Sequence, residues 1–384
     1  MMNKNEWKKV KLKNCANITM GQSPNSSSYN TNGEGIPFYQ GNADFGDLYP
    51  KLRYFCTEPT KIANGNDLLL SVRAPIGKIN IATTSCCIGR GLCSITPKEN
   101  IIFQKYLYYI LKFKEKEFNS IGTGTTFKAI SKNQICETEF LLPNIEEQKK
   151  ITLILENSEK LLKLKKQQLS ELDRLVKFQF LKIFGDPILN EKNWKKIFLS
   201  DCCIINPKKN EIKLDDNFSL SFIGMANVSE KGKINTSNIK LYKEVKNGFT
   251  YFKENDVLFA KITPCMENGK GGIAKNLYNK IGFGSTEFHV LRPIENISNS
   301  YWLYCLTMLP FFRKNAEKNM TGSAGQKRVP VTYFQKTLIA LPPIELQNKF
   351  ADFVKQVDKS KVELQKSIDE TQLLFDSLMD KYFG

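Results

Sequence analysis

Apolar residues recur at alternating steps of three and four through Ile151, Leu155, Leu162, Leu169, Leu172, Val176 and Ile183, with Ser158, Lys165 and Gln179 as polar interruptions. The same rhythm returns through Phe350, Val354, Val357, Leu364, Ile368, Phe375, Leu378 and Tyr382, interrupted at Lys361 and Thr371. Held over about five heptads, this spacing predicts a coiled-coil seam on each of two long helices. Each stretch starts at a proline-marked boundary (Pro143; Pro342-Pro343) and runs without Gly or Pro to a closing Phe-Gly at 184–185 and 383–384. Equivalent residues lie 199 apart with no gap: Gln148 answers Gln347, Leu169 answers Ile368, Lys182 answers Lys381. Two matched helices of about 35 residues, ~50 Å at the usual rise, suit pairing with each other as a spacer better than separate burial. The polar interruptions differ between the copies, which is how register is fixed or a docking position marked.

The repeat extends beyond the helices. Trp7-Lys-Lys-Val10-Lys-Leu12 matches Trp194-Lys-Lys-Ile197-Phe-Leu199 at a spacing of 187, and alternation through residues 7–15 predicts an opening strand. Asn66-Asp-Leu-Leu-Leu-Ser71 matches Asn255-Asp-Val-Leu-Phe-Ala260 at a spacing of 189, with Pro75 against Pro264. Both read as a turn entering a buried strand. A short amphipathic helix follows in each copy, at 103–113 and 300–312. Between these shared elements the chain diverges. The first copy has the polar loop Gly21-Gln-Ser-Pro-Asn-Ser-Ser-Ser-Tyr29 and a short Arg73-Ala-Pro-Ile-Gly-Lys78. The second has a longer stretch from Lys261 to Lys270. The pattern therefore predicts an α+β chain of two tandem modules, 1–144 and 186–343, each followed by a long helix, 145–185 and 344–384. Paired antiparallel, the two helices relate the modules by a pseudo-twofold.

The net charge is +17, of which residues 1–145 supply +7 and residues 186–344 supply +9. A near-even excess on two related modules suits a polyanion that touches both. Each module also carries a turn of small hydroxyl residues with a cation: Gly122-Thr-Gly-Thr-Thr-Phe-Lys128, and Thr321-Gly-Ser-Ala-Gly-Gln-Lys327-Arg328. Neither has the Gly-x-x-x-x-Gly-Lys-Ser/Thr spacing of a nucleotide-binding loop. Such a turn suits contact with a nucleic acid backbone through hydroxyls, amides and charge.

Catalysis finds little support. His289 is the single histidine, and Glu287-Phe-His-Val-Leu alternates like a strand, so a structural role is expected of it. The ten cysteines include the adjacent pairs Cys86-Cys87 and Cys202-Cys203 but no Cys-x-x-Cys, which predicts reduced thiols and no metal site. No cofactor loop is present, no apolar run approaches a membrane span, and no signal segment opens the chain, so a cytoplasmic location is expected. A single-chain nuclease and a DNA-independent coiled-coil scaffold remain the alternative readings.

Taken together, Gly122-Thr-Gly-Thr-Thr-Phe-Lys-Ala-Ile-Ser131, Leu142-Pro-Asn-Ile-Glu-Glu-Gln148 and Leu341-Pro-Pro-Ile-Glu-Leu-Gln347 make the chain resemble the specificity subunit of a type I restriction–modification system over essentially its whole length. The first boundary has Pro-Asn where that family usually has Pro-Pro. The resemblance implies two target recognition domains, each reading half of a bipartite site on double-stranded DNA. It implies helices that form an antiparallel coiled coil and dock two methyltransferase subunits, with restriction subunits joining through the complex and with methylation, translocation and cleavage all belonging to those partners. The expected DNA-binding residues are Gly122, Thr123, Thr125, Thr126 and Lys128 in the first turn, and Gly322, Ser323, Gln326, Lys327 and Arg328 in the second. Gln22, Ser23 and Tyr29 of the polar loop and the cations Arg73, Lys78, Lys261 and Lys270 complete the set. No catalytic residue, metal or cofactor is expected.

Overall fold

The computed structural model describes residues 7–123, 128–187, 189–323 and 325–384. The chain divides into two compact units, residues 1–166 with 366–384, and residues 167–365. Each long helix is thus split between the units by sequence.

In the first unit the strand Lys8–Lys11 pairs antiparallel with Glu139–Leu142. The alternation expected through residue 15 stops early. Leu12–Cys15 instead makes one helical turn that buries Leu12 and Cys15. A four-stranded antiparallel sheet follows, in the order Ala16–Met20, Leu92–Pro97, Leu68–Ser71, Ile79–Ile81. Leu68, Leu69 and Leu70 are all fully buried, which is why this strand reads as an unbroken apolar run. A second sheet of five short strands holds Ile36–Tyr39 parallel to Cys86–Ile88. The helix Gln104–Phe113 presses Tyr106 against Phe383 and Tyr109 against Phe375, with ring centroids 5.4 and 6.5 Å apart. The Tyr109 hydroxyl donates to Glu159 at 2.8 Å, and Lys105 pairs with Glu156 at 2.5 Å.

The second unit repeats the scheme. Lys195–Phe198 pairs with Leu338–Leu341, and a four-stranded antiparallel sheet runs Cys203–Ile205, Phe288–Pro293, Val257–Ala260, Gly271–Ile273. Its other sheet has four strands, with Ser219–Ile223 parallel to Ile281–Gly284. The single helix expected over 300–312 is two, Ser300–Met308 and Pro310–Lys318. Pro310 has no amide hydrogen to continue the first helix and a ring suited to starting the next. Trp302, Phe259, Phe312 and Phe334 form one core with Val176, Phe180 and Phe184 of the first long helix and Phe350, Val354 and Val357 of the second.

The long helices span Ile145–Phe184 and Ile344–Phe383. Every seam residue named above is buried or half-buried, polar ones included. Off the seam, Leu153, Ile154, Leu161, Leu164, Leu175, Phe178 and Leu181 are exposed. In the first unit Lys165 donates to the hydroxyls of Ser367 and Thr371, both at 2.7 Å. In the second unit Lys361 pairs with Asp173 at 2.7 Å, and Phe350 packs edge-on against Phe180 and Phe184. Each helix is locked to its module at the start by a wholly buried glutamine. Gln148 accepts from the Phe103 amide at 2.7 Å and donates to the carbonyls of Ile101 and Pro143 at 3.2 and 2.9 Å. Gln347 repeats this with the Asn299 amide and the carbonyls of Ile297 and Pro342, at 2.9, 3.1 and 2.9 Å. The Pro-Asn variation has a use: the Asn144 side chain caps the helix by accepting from the Glu147 amide at 2.9 Å.

Candidate nucleic-acid interface

The strand that opens with a turn at Asn66 ends at Ser71, and the chain leaves it through Arg73. Asn66 takes a φ of 71°, the left-handed region that asparagine tolerates, and Asn255 repeats it at 71°. Beyond the strand, Arg73 and Ala129 form an antiparallel bridge, as do Thr123 and Ala129. The Ile130 amide donates to the Val72 carbonyl at 3.0 Å. These bonds set the loop beginning at Arg73 beside the turn that carries Gly122, Thr123 and Lys128. Arg73, Thr123 and Lys128 are exposed. Thr125 and Thr126 lie outside the described residues.

The polar loop is joined to the same strand ends. Ser23 bonds the Gln40 amide group at 2.9 Å and accepts from the Arg90 amide at 3.3 Å, while the Val72 amide donates to the Gly91 carbonyl at 2.9 Å. Arg90 is exposed and was missed in the sequence. Its signal was a lone arginine between glycines: a Cβ at Gly91 would stand 2.6 Å from the Gln40 carbonyl oxygen. Gln22 is exposed, its carbonyl accepting from the Thr60 hydroxyl at 2.6 Å. Tyr29 is turned inward, its hydroxyl on the Pro24 carbonyl at 2.8 Å and its ring 4.7 Å from that of Phe38. Lys78 is ion-paired with Glu115 at 2.7 Å.

The second unit builds the same junction. Ile262 and Thr321 both bridge to Arg328, and the Val329 amide donates to the Lys261 carbonyl at 2.9 Å. Thr263 adds two bonds to the turn, from its amide to Lys327 and from its hydroxyl to Gly325, both 3.1 Å. Gly322 has φ +123°, and a Cβ there would approach the Gln326 carbonyl oxygen at 2.9 Å, so the turn needs glycine at this point. Gly322, Ser323, Gln326 and Lys327 are exposed, and Lys261 is half-buried. The longer loop is pinned from beneath by Arg313, whose buried guanidinium donates to the Met266 carbonyl at 3.0 Å and lies 4.1 Å from the Phe259 ring centre. Burial pulls that guanidinium down to about 10. Lys270 donates to the Met225 carbonyl at 3.3 Å.

Two side chains at the start of the strand Phe288–Pro293, Glu287 just before it and His289 within it, hold the second turn. Glu287 takes Arg328 in a fork, from Nε at 3.0 Å and Nη2 at 2.9 Å, and this pairing holds the carboxyl below its usual range. His289 bonds the Val329 carbonyl through Nε2 at 2.8 Å and Asn206 through Nδ1 at 3.0 Å. The Asn206 amide NH2 donates to Nδ1, which leaves the ring neutral with its one proton on Nε2, and burial pushes its pKa down to about 4. The structural role expected of His289 is what the bonds describe. A cavity of about 250 Å³ opens beside it, lined by Asn206, Lys261, Thr286 and Phe288 among others. A larger one of about 550 Å³, around Phe311, Tyr333 and Lys336, holds none of the expected site residues.

Residues 4–174 and 191–371 each match the family described as "Type I restriction modification DNA specificity domain". The chain belongs to that family. It carries the domain twice. Among curated relatives, the putative MjaX specificity subunit of Methanocaldococcus jannaschii is 38% identical over 174 residues, 45% of this chain and 41% of its own length. The EcoAI specificity subunit of Escherichia coli is 39% identical over 191 residues, 48% of this chain and 32% of its own length. Those two matches therefore span less than half of either relative. The MjaIX specificity subunit of M. jannaschii aligns with 98% of this chain over 92% of its own length, at 23% identity. The crystal structure of a type I restriction–modification S subunit from M. genitalium has the same fold at TM-score 0.58 and 17% identity, covering 100% of this chain and 98% of that one. Among the described residues no cluster of His, Cys, Asp or Glu is placed to hold a metal ion. All ten cysteines are free. No described helix is long and apolar enough to cross a membrane.

Proposed function

We propose that this chain is the non-catalytic DNA-reading subunit of a type I restriction–modification complex acting in the cytoplasm. Residues 1–144 and 186–343 are its two target recognition domains, and each reads one half of a bipartite site on duplex DNA. The observation that carries this reading is the duplicated junction of cationic loop and glycine-hydroxyl turn, built by the same backbone bridges in both units. Cations and hydroxyls on such a junction position a phosphate backbone, and the loops that differ between the modules supply different base readout.

Residues 145–185 and 344–384 act as an antiparallel coiled-coil spacer. The inward turn of every seam residue supports this, as do the pairings of Lys361 with Asp173 and of Phe350 with Phe180 and Phe184. The exposed Leu161 and Leu164, off the seam, are the surface on which two methyltransferase subunits dock, with restriction subunits joining through them. Methylation and cleavage then belong to those partners, and this chain needs no cofactor of its own.

The spacer reading is tested by inserting four residues near Gln167. That adds about 6 Å of helix, roughly one or two base pairs of unread gap. Methylation mapping in cells carrying the insertion should find the same half-sites with a longer gap. An unchanged gap, or changed specific bases, rejects the spacer. Charged substitution at Leu161 and Leu164 together should abolish co-purification of the methyltransferase; normal recovery rejects that docking surface.

A further inference from the structure

Arg328 is already engaged. Its guanidinium is forked onto Glu287, and its Nη1 donates to the Gln326 carbonyl at 3.1 Å. Lys327 and Lys261 form no ion pair among the described residues. Strand register places Gly91 of the first unit where Glu287 stands in the second, since Leu92 faces Ser71 as Phe288 faces Ala260. The turn position of Arg328 is Ala129 there. The loop–turn bridge therefore forms with or without the ion pair. A carboxylate on a face that meets a polyanion opposes binding by like-charge repulsion, so Glu287 is not there for affinity.

We propose that Glu287 is a specificity-determining residue that withdraws Arg328 from the phosphate-binding set. It lowers sequence-independent binding by the second recognition domain and spends the guanidinium on fixing the turn that presents Ser323, Gln326 and Lys327. Non-specific affinity comes from cations facing phosphates, and specificity is a difference between two affinities. Neutralising one cation in place improves that difference while keeping its hydrogen bonds. This inference rests on the DNA-reading function proposed above.

The experiment uses the full chain in complex with its methyltransferase partner, bound to a short duplex of scrambled sequence across a salt series. Glu287→Gln should steepen the dependence of log K on log salt by about one, so that a fourfold rise in salt costs about three- to fourfold more affinity than in the wild type. The double variant Glu287→Gln/Arg328→Ala, which removes both charges, should keep the wild-type slope, whereas Arg328→Ala alone bares the carboxylate and should weaken binding. In cells, both single variants should relax the methylated bases of one half-site and leave the other intact. A slope flattened in the double variant makes Arg328 an ordinary phosphate contact and overturns the proposal. An unchanged slope in Glu287→Gln overturns it as well. Lys128→Ala in the first module separates the readings: if it flattens the slope while either overturning result appears, this proposal alone fails. Wild-type binding that does not vary with salt overturns both.

Discussion

Ala129 and Arg328 occupy the same place in the two units, each bridged to a loop residue and to the start of its own turn. What stands behind them differs. In the first unit the strand offers Gly91 and Cys93, and Gly91 lets the backbone of Gln40 close to a distance that no side chain would allow. In the second unit it offers Glu287 and His289, which bond Arg328 and the Val329 carbonyl. The first turn is held by its backbone bridges to Arg73 and Val72, and the second by the equivalent bridges with the polar side chains of Glu287 and His289 added. The comparison teaches that a shared backbone junction leaves its support free to vary, and with it the charge of the face it presents.

The largest effects should come from what the units share. Gln347→Leu leaves an amide and two carbonyls without their partner, each costing about 1–3 kcal/mol when buried and unpaired, so a loss of at least about 3 kcal/mol is expected in a denaturant titration. Gln148→Leu should lose as much, and clearly unequal losses would break the equivalence of the two locks.

The next effect separates the units by pH. His289 has its pKa depressed to about 4 from an ordinary 6.5, so the folded state favours the neutral ring. Its contribution is present above 6.5 and is lost as pH falls toward 4, by about 3 kcal/mol in all. A His289→Gln variant should show a smaller drop in unfolding free energy between pH 7 and 4 than the wild type. Parallel pH profiles would count against a neutral buried ring.

Smaller still is Gly91→Ala, whose Cβ must push the Gln40 carbonyl aside, at about 1–3 kcal/mol. Glu287→Ala at the matching position should cost under about 1 kcal/mol, because the ion pair it breaks is partly solvated. Equal losses at the two positions would erase the contrast between backbone and side-chain support. The smallest is Lys361→Ala, under about 1 kcal/mol for a half-exposed pair with Asp173. Lys165→Ala should exceed it, since the Ser367 and Thr371 hydroxyls both lose the ammonium that donates to them; chemical melts of the two variants decide the order.

Much of the architecture was legible in the residues. Periodicity alone marked both long helices and sorted seam from exposed positions, because a 3.5-residue repeat leaves little choice of face. The 199-residue repeat paired Gln148 with Gln347 before their identical bonds were seen. The break at Pro310 was also written in the sequence, although a helix through residue 312 was expected, since proline cannot donate the bond that a continuous helix requires.

The site was legible only as a set of candidates. The turns and their cations were visible in composition, but which cations stand free was not. Arg328 lies ten residues before the last strand, Leu338–Leu341, while Glu287 lies 41 residues earlier than Arg328, and only the pairing of distant strands brings the two together. Lys78 meets Glu115 and Arg90 comes beside Ser23 by the same kind of long-range closure. Local sequence determined the elements because helix and strand periods and turn chemistry are properties of neighbouring residues. Tertiary structure decided the charge of the face, because an ion pair depends on which side chains the folded backbone brings within about 4 Å.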